Sequence, residues 1–473
     1  MVTEHLSPLD LAFWRIESAT HPMHLGALAV FDATPRTDAP VADRPGTDRP
    51  GAARRGSAAR RPGAAPRPDA AARAAELLAA RCDAVPGLRR RIHDVLLPVG
   101  AAAWSPDPDF DPARHVFLVR TGDPQRAAGP LMARPLDRDR PPWEAHVLAG
   151  PDPDSFAVLF KFHHALADGL GALALAAALF DEGCAFAGPE RPAPAPRPAR
   201  SLLRSLPAVL TSRFQDVGQA LEIGAAVARA GLPVGVPAAL AAPVPTGPGT
   251  RAVAGLALDL DEVNRIRKVS GGTVNDVLIA VVAGAMRRWL VGRGDGEPTG
   301  AGPRALIPVS RRRPGGGAKP YGNRLSGYLL RLPLAEPDPL RRLERVRTGM
   351  DRNKEAGPAR GAGAVALLAD HVHPLGHRLG GPFVAQAARL LFDVLVTSVP
   401  LPSFTFSLGG SRVREVYPLA PLARGHSLAV AVSTYKGTVH YGLVADAAAV
   451  PDLPDLAQAL RAELDDLVRV VRC

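Results

Sequence analysis

The stretch Phe156-Ala157-Val158-Leu159-Phe160-Lys161-Phe162-His163-His164-Ala165-Leu166-Ala167-Asp168-Gly169 decides the fold. Its first seven residues are apolar apart from Lys161, a run of the length of a buried strand. Residues 170–180 that follow are rich in Leu and Ala, which are good helix formers. The order predicts strand, turn and helix, with the pattern His-His-x-x-x-Asp-Gly on the turn. An imidazole in a core must find hydrogen-bond partners or lose stability, so two adjacent histidines there point to chemistry.

Successive strand residues face opposite sides, so His163 and His164 do not serve one pocket together. By parity His164 shares the face of Phe156, Val158, Phe160 and Phe162, and His163 shares that of Lys161. An apolar face keeps His164 neutral, with a lone pair free to accept a proton. The same parity argues against a metal held by both histidines and Asp168. Asp168 also reads as the cap of the helix starting near Gly169, a role compatible with a place beside the base.

Further segments surround this motif. Residues 6–13 read Leu-Ser-Pro-Leu-Asp-Leu-Ala-Phe, followed by Glu17 and by Pro22-Met23-His24-Leu25-Gly26. Arg134-Pro135-Leu136-Asp137 and Pro141-Pro142-Trp143-Glu144 precede the motif. Gly271-Gly272-Thr273-Val274-Asn275-Asp276, Ile307-Pro308-Val309-Ser310-Arg311 and Ser433-Thr434-Tyr435-Lys436-Gly437 follow it. In this order the chain resembles the bacterial wax ester synthase/diacylglycerol acyltransferase family. That family lies within the wider group of CoA-dependent acyltransferases, which also includes the condensation domains of peptide synthetases.

The resemblance implies an α/β architecture: a two-lobed, chloramphenicol-acetyltransferase-like fold of mixed sheets with flanking helices and the active site in a tunnel between the lobes. It implies transfer of a long-chain acyl group from acyl-CoA to diacylglycerol or to a long-chain alcohol, with acyl-CoA as co-substrate and no cofactor. His164 would be the proton acceptor, Asp168 an orienting residue and His163 a support. Gly169, Asp276 and Glu17 are the substrate-facing candidates. The family's Thr-Asn-Val-Pro-Gly-Pro segment reads Thr397-Ser398-Val399-Pro400-Leu401-Pro402 here, which changes a loop expected to line the pocket.

Asn275 and Asp276 fall in the first turn of a predicted helix running from Thr273 to about Leu290. There the positive end of the helix dipole favours negative charge. One reading has Asp276 only stabilise the helix start; the other places the Asn275 amide against developing negative charge on a reacting carbonyl. Arg138, Arg140 and Trp143 read as architecture, with an arginine available to pair with Asp168. Tyr435 reads as a neighbour of the tunnel. No Gly-x-Ser-x-Gly elbow is present, so direct transfer is the natural route rather than a covalent acyl-enzyme.

Length and composition frame these readings. At 473 residues the chain exceeds one ordinary core, and two lobes are expected: 1–187, a proline-rich linker at 188–200, and 201–473. Residues 33–70 read as a Pro/Arg-rich disordered insertion, longer than the family pattern suggests, and 314–320 as a flexible loop. Residues 210–228 recur at helical spacing with mixed charges, favouring a helix packed on its own domain over a lipid-facing one.

The net charge of +11 rests almost wholly on arginine, with lysine only at 161, 268, 319, 354 and 436. That skew, beside 49 Pro and 46 Gly, looks like GC-rich coding and says little about partners. Scattered basic residues with 5 Tyr and 4 Trp argue against nucleic acid. Cys82, Cys184 and Cys473 are too isolated for a disulfide framework, which suits a reducing cytoplasm. No signal peptide and no apolar run of membrane-spanning length is visible. A cytoplasmic protein is expected, peripheral at most at the inner membrane face or at lipid inclusions. Two rivals remain open: a condensation-type enzyme using a carrier-protein thioester, and a non-catalytic lipid-binding or droplet protein.

Overall fold

The computed structural model describes residues 4–32, 69–183, 240, 250–310, 323, 325–356 and 391–472. The chain opens with β1 (Glu4–His5) and α1 (Pro8–Ile16), capped by Ser7, whose hydroxyl accepts from the Asp10 amide. Then come β2 (His24–Phe31) and α2 (Ala70–Cys82), capped by Asp69. β3 (Arg90–Asp94), β4 (Ala102–Pro106), β5 (Val116–Arg120), α3 (Pro124–Ala133) and β6 (Trp143–Ala149) lead to β7 (Phe156–His163) and α4 (Gly169–Ala177). The insertion expected at 33–70, apart from Asp69 and Ala70, lies outside the described residues. So do the linker at 188–200, the helix expected at 210–228 and the loop at 314–320.

Beyond residue 250 the order is β8 (Arg251–Asp259), α5 (Leu260–Ser270), α6 (Val274–Gly292), β9 (Arg304–Ser310), β10 (Leu325–Arg331) and α7 (Pro339–Ala356). β11 (Val394–Pro400), β12 (Ser407–Leu408), β13 (Ser411–Leu419), β14 (Leu428–Tyr435), β15 (Thr438–Asp446) and α8 (Leu453–Arg472) complete it. Lys436 and Gly437, both at positive φ, turn the chain between β14 and β15, as a hairpin there requires.

Two six-stranded sheets carry the two lobes. One has the order β12-β13-β2-β7-β6-β5 and the other β10-β9-β11-β14-β15-β8; a three-stranded sheet β1-β4-β3 stands apart. β7 is central and buried on both faces, which explains its near-continuous apolar run. Phe156, Val158, Phe160 and Phe162 face a core shared with α2 and α4, while Ala157 and Leu159 face one shared with α3. Each buried phenylalanine contributes about 1.5–3 kcal/mol. The second sheet packs its β8, β9, β11, β14 and β15 side chains against α5, α6, α7 and α8.

The sheets do not divide at the expected linker. β13 pairs antiparallel with β2, Tyr417 opposite Leu28, so the C-terminal part of the chain completes the N-terminal sheet. A strand that crosses between lobes buries apolar residues such as Val413 and Tyr417 in the first lobe's cores, and no local pattern in the sequence encodes that choice. The segment 397–402, expected as a loop, is strand as far as Pro400, paired in parallel with β14.

Candidate active site

β7 ends at His163, but its ladder runs one residue further: the His164 amide donates to the Met23 carbonyl at 2.8 Å. The chain then turns, with Leu166 N donating to His163 O at 2.8 Å, and α4 begins under the cap of Asp168, whose Oδ1 accepts from the Gly171 amide at 2.9 Å. Asp168 is buried, as its cap role requires. The turn therefore presents His164 at a fixed point on the strand end.

His164 borders a cavity of about 380 Å³ between the two main sheets. Its apolar wall includes Leu25, Phe160, Phe162, Leu173, Phe406 and Val416. Asp168, Gly169, Asn275 and residues 397–401 share that lining. At Gly169 a Cβ would lie 2.9 Å from Val399 Cγ2, so glycine lets the turn and β11 approach closely.

The imidazole of His164 stacks on Phe13 at 4.1 Å with a 7° interplanar angle, and its Nδ1 lies 2.9 Å from Asn323 Oδ1. Its half-buried ring reaches the cavity. Burial, helped by the neighbouring His163, lowers its pKa to about 4, and its own backbone, Asp168 and Asn323 only partly oppose this. At neutral pH the ring is the free base.

His163 points the other way, fully buried, with Trp14 at its edge 5.0 Å off. The Ala165 amide donates to His163 Nδ1 at 3.0 Å, so Nε2 carries the proton and faces Glu17 Oε2 at 3.4 Å. Glu17 also accepts from the Met23 amide at 3.0 Å, and Arg138 lies 3.5 Å from it. Burial alone would raise the Glu17 carboxyl, but His163, the Met23 amide and Arg138 outweigh it and hold the group below the usual range. On the same side of β7, buried Lys161 donates to Glu144 at 2.9 Å and to the Arg134 carbonyl at 3.0 Å.

Several expected site residues stand elsewhere. Glu17 does not line the cavity; it lies behind His163, because α1 ends there and its carboxylate is drawn to the Met23 amide. Asp276 is also outside the lining. It closes the capping box of α6, accepting from Thr273 N at 2.7 Å and Thr273 Oγ1 at 2.8 Å. Asn275, one residue earlier, lines the cavity at the positive end of this 19-residue helix. Arg138 pairs with Glu17 and covers Trp14 at 3.7 Å, and Arg140 pairs with Asp137, so neither is the partner foreseen for Asp168. Tyr435 lies in the first lobe's core, its hydroxyl accepting from the Phe406 amide at 3.1 Å, while Ser433 lines the cavity.

Three residues reach the site without announcing themselves locally: Phe13, Asp10 and Asn323. Asp10 and Asn323 are 313 positions apart and bonded through both the amide and the side chain of Asn323. Burial raises the Asp10 carboxyl, opposed by hydrogen bonds from Ser7 and Asn323. The apolar–polar pattern of α1 could have shown that Asp10, on a helix otherwise turned inward by Leu11 and Trp14, was buried and in need of a partner.

With this geometry in place, similarity to known proteins is informative. The wax ester synthase/diacylglycerol acyltransferase catalytic domain matches residues 6–278, and the C-terminal domain of the same family matches 321–468. A Mycobacterium tuberculosis protein named as a probable diacylglycerol O-acyltransferase is 31% identical over 81% of this chain and 84% of its own. A second, similarly named protein of that organism is 28% identical over 98% of this chain and 99% of its own. Among solved structures, the wax ester synthase/diacylglycerol acyltransferase of Marinobacter aquaeolei superposes with a TM-score of 0.67 at 21% identity, covering 99% of this chain and 100% of that one. The first condensation domain of the CDA synthetase shares the fold at a TM-score of 0.54 and 15% identity, over 99% of this chain and 96% of its own. Order of motifs, fold and family matches agree: this chain belongs to the wax ester synthase/diacylglycerol acyltransferase family.

Proposed function

We propose that the protein transfers a long-chain acyl group from acyl-CoA to the hydroxyl of diacylglycerol, of a long-chain alcohol, or of both. The observation that carries this reading is a neutral imidazole, His164, bordering an apolar cavity between two lobes. His164 takes the hydroxyl proton as the alcohol oxygen attacks the thioester carbon. The tetrahedral oxyanion is met by the Asn275 amide at the start of α6. Collapse breaks the carbon–sulfur bond, and the imidazolium returns its proton to the departing CoA thiolate. Asp168 holds the turn that aims the base, and no side chain is acylated on this route.

Purified protein supplied with palmitoyl-CoA, and with hexadecanol or dioleoylglycerol in separate reactions, is expected to form ester with at least one acceptor. Folded protein silent with both overturns the reading, and ester formed only from a carrier-protein thioester would favour the condensation-type alternative.

The acceptors are dissolved in lipid, so we place the reaction at a membrane or lipid-inclusion surface. Among the described residues no single helix is long and apolar enough to cross a membrane. A surface contact is supported by the tip of the β3–β4 hairpin, where Leu96 is 92% exposed and Leu97 76%, with Val99 half exposed. At the tip, Arg15 pairs with Asp94 and donates to the Gly100 carbonyl, while Arg89, Arg90 and Arg91 stand at the far end of the hairpin, paired with Asp83, Glu4 and Asp107, so the contact is carried by the exposed apolar side chains. Replacing Leu96 and Leu97 together by aspartate is expected to lower the fraction floating with phosphatidylglycerol vesicles about tenfold or more. Unchanged flotation by a folded double variant would remove this hairpin from the contact.

A further inference from the structure

Asn323 stands two residues before β10, in the part of the chain matched by the family's C-terminal domain, yet its side chain reaches the base of the other lobe. Its two side-chain ends can be told apart by their neighbours. One end lies 2.6 Å from Asp10 Oδ1 and also in hydrogen-bond contact with the His164 carbonyl oxygen. A backbone carbonyl only accepts, so this end is the NH₂ group. The other end is then the amide oxygen, which only accepts, and it lies 2.9 Å from His164 Nδ1. His164 Nδ1 must be the donor in that contact.

We propose that Asn323, clamped by Asp10, is a positioning residue that holds His164 in its Nδ1–H tautomer and thereby presents an unprotonated Nε2 to the alcohol. The tautomer of a neutral histidine is set by the bond its other nitrogen makes. Nε2 makes no hydrogen bond to a described residue, and the ring borders the cavity, so the free lone pair is on the substrate side.

The clamp is built from both lobes. Asp10 receives the Asn323 backbone amide at 3.0 Å as well as its side chain, and is itself held by the Ser7 hydroxyl at 2.6 Å. Phe13, one turn further along α1, sets the plane of the ring that Asn323 sets in tautomer. The amide cannot rotate without placing its oxygen against a carbonyl and a carboxylate. A misplaced proton on Nε2 would leave nothing to accept the proton of the alcohol, as wrong-tautomer variants of catalytic histidines illustrate.

The inference rests on His164 being the base, but its first test needs no turnover. Protein labelled with ¹⁵N in its histidine rings, with His164 assigned by the missing signals of His164→Gln, is expected to show a protonated Nδ1 and a pyridine-like Nε2 at pH 7. A protonated Nε2 in the wild type overturns the proposal, whatever the activity. Asn323→Leu keeps the volume and removes both hydrogen-bonding ends. It is expected to mix the two tautomers and to lower kcat about 10²-fold with KM for palmitoyl-CoA little changed. A folded Asn323→Leu protein with the wild-type ring spectrum and unaltered kcat would equally overturn the proposal. Where that variant fails to fold, the wild-type spectrum alone decides.

Discussion

His164→Ala is expected to lower kcat for ester formation by about 10²–10⁴-fold while leaving the protein folded. The size follows from the inventory of the cavity: among the described lining residues His164 is the sole imidazole. The fold is expected to survive because the ring closes the end of β7 rather than filling a core. Its backbone amide still reaches the Met23 carbonyl in the variant, and the cap by Asp168 is untouched. Circular dichroism and a urea melt beside the rate measurement separate the two effects. The base also has a pH signature. A protonated ring cannot accept a proton, and burial holds the His164 pKa at about 4, so activity is lost as pH falls through about 4 and is level across neutral pH. An inflection of kcat/KM between pH 6 and 7 would place the essential group elsewhere.

Glu17→Leu is expected to cost about 1–3 kcal/mol of stability, seen as a lowered urea midpoint, and to reduce kcat about 10- to 10²-fold. The carboxylate is 4% exposed and joins three groups: the Met23 amide, His163 Nε2 and Arg138. Its loss strands the buried Met23 amide, worth roughly 1–3 kcal/mol when left unsatisfied, and removes the charge facing His163 Nε2. The rate effect travels through Met23. Glu17 holds its amide nitrogen, and its carbonyl holds the His164 amide at 2.8 Å, so releasing one end frees the base to shift. Glu17→Gln keeps an acceptor for Met23 and is expected to be milder on both counts. A leucine variant as stable and as active as wild type would show that the clamp does not position the base.

The part of this site that lies within one local stretch is legible in the sequence. The apolar run of β7 demanded a buried central strand, and strand parity separated His164, on the face of Phe160 and Phe162, from His163, on the face of Lys161. Thr273 and Asp276 carried the chemistry of a capping box, and that chemistry places Asn275 at the helix start. Local pattern could not decide which distant segment would seat itself on these elements. The Asp10–Asn323 contact spans 313 positions, and the pairing of β13 with β2 joins strands from opposite ends of the chain. Such contacts are chosen by burial and by satisfying polar groups in three dimensions. Glu17 shows the same limit from the other side: a carboxylate near the motif in space reads as a substrate contact until its donors, Met23 and His163, are located behind the strand.

In the proposed mechanism one neutral imidazole, His164, moves the alcohol's proton directly during attack on the thioester, with no acylated protein between. Its most direct test is a single turnover: enzyme in excess over radiolabelled palmitoyl-CoA, quenched with and without hexadecanol or dioleoylglycerol. CoA release, ester and protein-bound label are counted in the wild type and in His164→Ala. Direct transfer predicts no label on the protein without an acceptor, CoA and ester formed together once an active acceptor is added, and neither formed at that rate by the variant. Label covalently bound to the wild-type protein before the acceptor arrives, or ester formed at the wild-type rate by His164→Ala, would contradict it.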